Sequence, residues 1–190
     1  MPRKPQYDRD DLIDRARDLF WERGWAGTSL KDLEACLEMK PGSFYAAFGS
    51  KDALFALTMK KYTADGVERL EALVSAHGPV ETLQRYPFLV IDNSAAPAKA
   101  CMLSKTLLEL QAHSHPLADE ANGHLVTMSA LFERLFSQAQ NEGLIDRSHD
   151  TEALARRYQS DLMGLRVSAE RPGFDAKAIA AEMADAVSAL

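Results

Sequence analysis

Hydroxyl-bearing, cationic and very small residues follow one another between positions 28 and 51. Gly42 and Ser43 keep the backbone accessible at the predicted start of a short helix, where free amide groups can bind a phosphate. Tyr45 carries a hydroxyl on a rigid side chain and suits a phosphate or base-edge contact. The residues with this potential are Thr28, Ser29, Lys40, Pro41, Gly42, Ser43, Tyr45 and Lys51. Each alone is equally compatible with an ordinary core or surface position, but the ordered set predicts contact with double-stranded DNA.

The two cysteines are the next candidates for chemistry. Cys36 and Cys101 stand far apart and form no Cys-x-x-Cys pair, which predicts free thiols in a reducing compartment. Cys36, on the second predicted helix, is expected to pack. Cys101, at the start of a later helix, is either an electrophile- or redox-sensing thiol or a small buried residue. The sequence leaves both interpretations open.

Catalytic patterns are absent from the sequence. His113 and His115 are two positions apart, so they do not share a helix face, and with Glu109 they lack the order of a metalloprotease motif. There is no nucleophile elbow, P-loop or dinucleotide fingerprint. We therefore expect neither an enzyme nor a bound metal or organic cofactor.

Three short helices are predicted to position the residues between 28 and 51. Apolar residues over 9–24 recur on one helical face. A second helix over 29–37 begins with the spacing of a capping box, and a third is expected over 40–48. Glu38 and Met39 form the turn between them. This arrangement predicts a helix-turn-helix whose last helix enters the major groove.

The rest of the chain also has helical periodicity. Ser50 can cap a long fourth helix that runs to about Ala76, where His77-Gly78-Pro79 breaks it. Further helices are predicted over 80–85, 98–112, 117–141, 151–169 and 176–189. Tyr86-Pro87 is expected to separate two elements, and only Phe88–Ile91 leaves a strand open. The patterns predict an all-α chain of about nine helices.

Charge is unevenly distributed along the 190 residues. The formal net charge is −6, yet residues 1–51 carry nine basic and nine acidic side chains, so the excess of acid lies in 52–190. A neutral head on an acidic body permits DNA binding through local cationic contacts. Arg3 and Lys4, on an extended Pro-flanked arm, can reach an adjacent minor groove. No apolar segment follows them and no apolar run is long enough for a bilayer, so we expect a cytoplasmic protein without a membrane partner.

The segment from Asp8 to Phe55 resembles the DNA-binding domain of the TetR family of bacterial transcriptional regulators. The matching stretches are Phe20-Trp21-Glu22-Arg23-Gly24-Trp25, Thr28-Ser29, Gly42-Ser43-Phe44-Tyr45-Ala46-Ala47-Phe48 and Ser50-Lys51-Asp52-Ala53-Leu54. The resemblance implies a helix-turn-helix domain over 1–52 and an effector-binding and dimerisation domain over 53–190. The implied function is a repressor that binds a palindromic operator as a homodimer and is released by a small-molecule effector.

Two positions depart from the family pattern. Glu38 stands in the turn where the family often has Gly, so a left-handed backbone there would be strained. Lys40 stands where the family often has Ser or Thr, so the third helix is expected to lack a side-chain cap.

The resemblance also assigns roles to the helical body. It implies that the last two helices form a four-helix bundle with a second copy, and two apolar stripes suit that role, although the same stripes can close the core of one chain. The candidate interface residues are Leu154, Leu162, Leu165, Ile179, Met183 and Val187. The candidate effector-binding residues are Tyr62, Cys101, Met102, Lys105, Glu109, Met128, Phe132, Tyr158 and Arg166.

Two segments narrow the expectation further. Residues 99–110 and 157–166 look similar to the acrylate-utilisation repressors within the family, which implies a small unsaturated acid or its thioester as effector. Two alternatives stay open: a helical protein–protein adaptor that binds no DNA, and a regulator that senses electrophiles or oxidants through Cys101.

Overall fold

The computed structural model describes residues 8–190, and all regular secondary structure in this part of the chain is helical. In chain order the helices are α1 (Arg9–Arg23), α2 (Leu30–Leu37), α3 (Pro41–Phe48), α4 (Lys51–Asp92), α5 (Met102–Gln111), α6 (Pro116–Asn141), α7 (Thr151–Ser168) and α8 (Ala176–Ser188). No strand occurs between residues 8 and 190, which confirms the all-α class. The described chain has eight helices rather than about nine, because the helix expected at 80–85 is part of α4.

The long helix α4 is kinked where the sequence predicts a break. Gly78 has φ 75° and ψ 175°, a conformation that favours glycine, and Pro79 follows it. The second predicted break, at Tyr86-Pro87, is wrong, since the helix continues through Pro87 to Asp92. Tyr86, Pro87 and Val90 are all buried, so packing of this turn compensates for the hydrogen bond that proline removes.

Local capping explains where the first helices begin. The Asp8 carboxylate accepts the amide hydrogen of Asp10 at the start of α1. Ser29 and Asp32 form a reciprocal capping box at the start of α2, as their spacing predicts. Ser50 caps α4 through the amide of Ala53. These caps set the lengths of the loops between the helices and therefore the position of α3.

Two buried clusters form the interior. The first joins α1, α2 and α3 to the beginning of α4, to α5 and to the beginning of α6. The second joins the rest of α4 and α6 to α7 and α8. The N-terminal helices thus share a core with α5, which ties them to the body of the protein. No helix between residues 8 and 190 is both long and apolar enough to span a bilayer.

The apolar stripes of α7 and α8 face the second cluster. Leu162, Leu165, Met183 and Val187 are buried inside a single chain, which contradicts their assignment to a dimer interface. Leu154 and Ile179 are partly buried against the same cluster. The stripes close the core of one chain because a helical repeat of apolar residues serves intramolecular packing equally well.

Candidate nucleic-acid interface and ligand cavity

Helix α3 presents a polar, small-residue face to the outside. Pro41, Gly42 and Ser43 are exposed, and the Tyr45 side chain is 49% exposed although it is aromatic. Phe44 and Phe48 are buried and anchor the helix to the core. The helix therefore offers its N-terminal turn and the Tyr45 hydroxyl to an external partner.

Gly42 has no reason within the described chain to be glycine. Its backbone is helical, and a Cβ atom built on it meets nothing within 4 Å. Glycine inside a helix costs about 0.5–1 kcal/mol relative to alanine. A glycine at such an uncrowded helical position is explained if an external surface approaches the backbone closely. DNA does so at the start of a recognition helix.

The turn before α3 has the strained geometry that the sequence predicts. Glu38 lies in the left-handed region, with φ 55° and ψ 36°, where a non-glycine residue costs roughly 1–2 kcal/mol. Arg15 offsets part of this cost: its Nη2 group donates to Glu38 Oε1 at 2.8 Å and to the carbonyl of Cys36. Lys40 then begins α3 without a side-chain cap, again as expected.

The residues at the two flanks of α3 differ in their availability. Lys51 Nζ lies 4.0 Å from the centroid of the Trp25 ring, and partial burial lowers the pKa of this lysine. Ser29 is exposed but engaged in its capping box. Thr28 is a correction to the predicted DNA contacts, because it is 0% exposed and its hydroxyl donates to the carbonyl of Gly24 at 2.7 Å. The predicted minor-groove arm at Arg3 and Lys4 lies outside the described residues.

A cavity of about 570 Å³ lies between the helical body and α1. Its lining includes Tyr62, Cys101, Met128, Phe132 and Arg166, five of the nine predicted effector-binding residues. This volume lies within the roughly 300–1,000 Å³ typical of sites for drug-sized ligands. The structure therefore brings together the middle of α4, the start of α5 and the facing sides of α6 and α7 around one space.

Polar groups converge on one part of the cavity wall. Arg166 Nη1 donates to the Tyr62 hydroxyl oxygen at 2.8 Å, and its Nε donates to the carbonyl of Lys99 at 2.7 Å. The Tyr62 hydroxyl in turn donates to Cys101 Sγ at 3.6 Å. Burial raises the pKa of Tyr62 far above its usual value, so its hydroxyl stays protonated. A guanidinium, a phenol and a thiol are thus linked in one chain of hydrogen bonds.

Four predicted effector residues lie elsewhere. Met102 is buried in the first core cluster, and Tyr158 is buried in the second with its hydroxyl donating to the carbonyl of Leu83 at 2.6 Å. Lys105 Nζ donates to the carbonyls of Trp21 and Glu22 at the end of α1. These residues are structural in the described chain, which corrects their assignment to the cavity.

Glu109 is the fourth correction, and it explains how α5 is joined to the loop that follows α1. Its carboxylate accepts the amide hydrogens of Trp25 and Ala26 at 3.0 and 2.6 Å. Together with Lys105, one turn earlier on α5, it fixes the end of α1 and the loop that follows.

Trp21 and Tyr86 are cavity residues that the sequence analysis missed. The Trp21 indole lines the cavity and donates its Nε1 hydrogen to the carbonyl of Ala100 at 2.7 Å. Tyr86 was expected in a separator and instead points from α4 into the same space. No local pattern distinguishes these aromatics from core residues. Among the described residues, no group of three or more His, Cys, Asp or Glu side chains is arranged to hold a metal ion.

Comparison with known proteins supports the assignment of the N-terminal helices. Residues 12–58 match the family model described as bacterial regulatory proteins, tetR family. The chain is 27% identical to the HTH-type transcriptional repressor ComR of Escherichia coli (strain K12), over 86% of this chain and 80% of that protein. It is 24% identical to the HTH-type transcriptional repressor DhaR of Mycobacterium sp. (strain GP1), over 88% of this chain and 86% of that protein.

Solved structures extend the likeness to the whole fold. A cysteine-substituted variant of the TetR family regulator CifR, complexed with 26-bp double-strand operator DNA, superposes with a TM-score of 0.83 at 28% identity and covers 98% of each chain. A TetR family regulator from Cytophaga hutchinsonii superposes with a TM-score of 0.86 over 96% of this chain and 94% of that one, and at 19% identity it shows the fold alone. Residues 12–58 therefore match the model of the tetR family, and over most of its length the chain is similar to proteins named as transcriptional repressors, among them ComR and DhaR.

Proposed function

We propose that the protein is a ligand-responsive transcriptional repressor that binds a palindromic operator as a homodimer. The exposed face of α3 is the observation that carries this proposal. It combines the open Gly42 backbone with the Tyr45 hydroxyl in a domain whose relatives act on DNA. Ser43 and Lys40 are the further proposed contacts, with Pro41 at the helix start and Lys51 and Ser29 as phosphate contacts at the flanks.

Binding to DNA is tested by electrophoretic mobility shift with the DNA upstream of the protein's own gene. A salt-sensitive, sequence-specific complex supports the proposal, because phosphate contacts release counterions. If the protein were instead a helical protein–protein adaptor, it would form no such complex. Tyr45→Ala should weaken the complex about 5- to 150-fold, since each lost base or phosphate contact costs roughly 1–3 kcal/mol. Wild-type affinity in this variant would refute the role of α3.

The proposed dimer uses the outward faces of α7 and α8, since the inward stripes are occupied. On α7, Gly164 is exposed and Val167 is 52% exposed, and on α8 the exposed residues include Ala178 and Ala181. Small residues let two helices approach closely. A two-fold pair places two copies of α3 about 34–36 Å apart, one turn of DNA. Val167→Glu should then lower the mass measured by light scattering, whereas Leu108→Glu, at a 77% exposed site on α5, should not.

The proposed effector site is the cavity, and α5 is the proposed connection to the DNA-binding helices. Cys101 at the start of α5 lines the cavity, while Lys105 and Glu109 on the same helix hold the end of α1. A ligand that displaces α5 would therefore move helices α1 to α3 and change the affinity for the operator. The acrylate-like effector implied by the sequence would fill a small part of this space, so a bulkier acid or a thioester fits better.

A thiol-sensing regulator is the second candidate, and the position of Cys101 favours it. The sulfur lines the cavity and accepts a hydrogen bond from Tyr62. The CifR variant bound to DNA carries cysteine substitutions, and another relative of this fold, Escherichia coli NemR, was crystallised in a reduced form. Treatment with N-ethylmaleimide should release wild-type protein from DNA and leave Cys101→Ser bound. Equal release of both proteins would show that Cys101 only packs in the core. Cys36→Ser is the matched control and should be released like the wild type.

A further inference from the structure

Arg166 is a cation inside the helical body that has no acidic partner among residues 8–190. Asp161, one turn earlier, pairs with Arg157 at 2.8 Å, and Glu170, one turn later, accepts the amide hydrogen of Ala100 at 2.7 Å. None of the ion pairs among residues 8–190 includes Arg166. Its protein contacts are two neutral oxygens and the Trp21 ring, whose centroid lies 5.7 Å from Cζ.

The Arg166 guanidinium therefore has hydrogen-bond donors that no described residue accepts from. It carries five N–H donors, and the described residues accept from two of its nitrogens, Nε and Nη1. A charge removed from water without a counter-ion is costly, and the cost is recovered when an anion binds. Because Arg166 lines the cavity, its remaining donors are within reach of a ligand there.

Tyr86 supplies a second unused donor in the same cavity. The residue is 6% exposed, and its hydroxyl, unlike those of Tyr62 and Tyr158, forms no hydrogen bond with any residue between 8 and 190. Burial raises the pKa of Tyr86, so the hydroxyl is protonated and can donate. The residue is buried while its hydroxyl is open to the cavity, so this donor is available to a ligand that binds there.

The walls that α6 and α7 contribute define the rest of the ligand, while α1 and α4 also place charged side chains around the cavity. The charged residues are Arg17, Asp18, Asp65, Glu68 and Arg69. Leucine, methionine and phenylalanine side chains from α6 and α7 line the cavity beside the polar groups. They are Leu125, Met128, Phe132, Leu162 and Met163. From these features we infer that the cavity binds an amphipathic organic acid, whose carboxylate is held by Arg166 and Tyr86 and whose apolar body packs against α6 and α7. This inference rests on the proposed effector site and names the class of molecule that occupies it.

Acid and amide pairs of one carbon skeleton test the inference. The probes are hexanoate, octanoate and 3-phenylpropanoate, each with its primary amide, added to the full-length protein without DNA. None of these compounds can alkylate Cys101, so the readout is reversible binding. At least one acid should raise the unfolding midpoint of the wild type, because a ligand bound only by the folded state stabilises it. The corresponding amide should bind at least about tenfold more weakly than the acid, since a hydrogen bond to a charged group is lost.

Three variants separate ligand binding from structural roles. Arg166→Gln and Tyr86→Phe should each reduce affinity for the acid by about tenfold and leave affinity for the amide almost unchanged. Arg157→Gln, an exposed arginine on the same helix, is the matched control and should retain wild-type binding. Tyr86→Phe keeps the shape of the side chain, so it remains informative if Arg166→Gln fails to fold.

Several outcomes would overturn the inference. They are equal binding of acid and amide by the wild type, no stabilisation by any acid of the series, and unchanged acid binding in Tyr86→Phe. Operator binding is measured separately by mobility shift. A failed acid series with an intact operator complex would therefore reject the carboxylate site alone, whereas loss of both would reject the proposed function.

Discussion

Replacement of Gly42 by alanine should change stability and DNA binding in opposite directions. The added Cβ atom meets nothing within 4 Å in the free protein, and the backbone at this position is helical. Alanine should therefore increase the free energy of unfolding by about 0.5–1 kcal/mol, the usual difference between glycine and alanine inside a helix. For a chain of this size the melting midpoint should rise by about 1–4 °C.

The same methyl group should weaken operator binding. If the N-terminal turn of α3 lies against DNA, the extra carbon occupies space that the phosphates or base edges need. A lost or displaced contact of this kind costs roughly 1–3 kcal/mol, which corresponds to a rise in Kd of about 5- to 150-fold. Fluorescence anisotropy with labelled operator measures this change, and differential scanning calorimetry on the DNA-free protein measures the stability.

Gly123 provides the matched control. It also lies inside a helix with nothing within 4 Å of a built Cβ atom, but on α6. Gly123→Ala should give a similar gain in stability without loss of affinity for DNA. Unchanged affinity in Gly42→Ala would show that α3 does not approach DNA through this turn. An equal loss in both variants would show that the effect is not local.

Three further substitutions test other parts of the structure. Glu38→Gly should be about 1 kcal/mol more stable than Glu38→Ala by urea denaturation, because both lose the contact with Arg15 but only glycine adopts the left-handed turn without strain; equal stabilities would refute the strain. Thr82→Val should stabilise the protein by about 1 kcal/mol, because the buried Thr82 hydroxyl has no partner within residues 8–190. The control Thr58→Val should destabilise the protein, because the Thr58 hydroxyl donates to the carbonyl of Phe55. Urea denaturation of both variants measures the two changes. Glu109→Gln should leave operator binding by the ligand-free protein within a few-fold of wild type, but it should reduce the change in operator affinity that a bound acid causes. If the acid changes the operator affinity of the variant as much as that of the wild type in the anisotropy assay, α5 is excluded as the connection.

The parts of the fold that depend on neighbouring residues were predictable from the sequence. Ser29 and Asp32 are three residues apart, and their capping box requires nothing beyond that spacing. Gly78 and Pro79 likewise act on their own turn of helix, and the kink occurs where they stand. Pro87 shows the limit of such rules, because burial of the residues around it keeps α4 continuous through a residue that usually ends a helix.

The cavity was predictable only in part, because its lining depends on contacts between distant segments. Tyr62, Cys101 and Arg166 were recognisable as polar or reactive residues on middle helices. Lys105 and Glu109 have the same properties in sequence, yet their hydrogen-bond partners lie 83 or 84 positions away at the end of α1. Periodicity records which face of a helix is apolar but not which helix meets it, and the stripes of α7 and α8 illustrate the same ambiguity.

The positions of the two tryptophans have a practical consequence. Trp21 belongs to the cavity wall, whereas the Trp25 ring lies against the Lys51 ammonium group on the flank of α3. The chain contains no other tryptophan, so the tryptophan emission of the protein comes from these two rings alone. A Trp25→Phe protein would report occupancy of the interior, and a Trp21→Phe protein would report events at the proposed DNA-binding face. Each half of the proposed regulatory cycle can therefore be followed optically in an unlabelled protein.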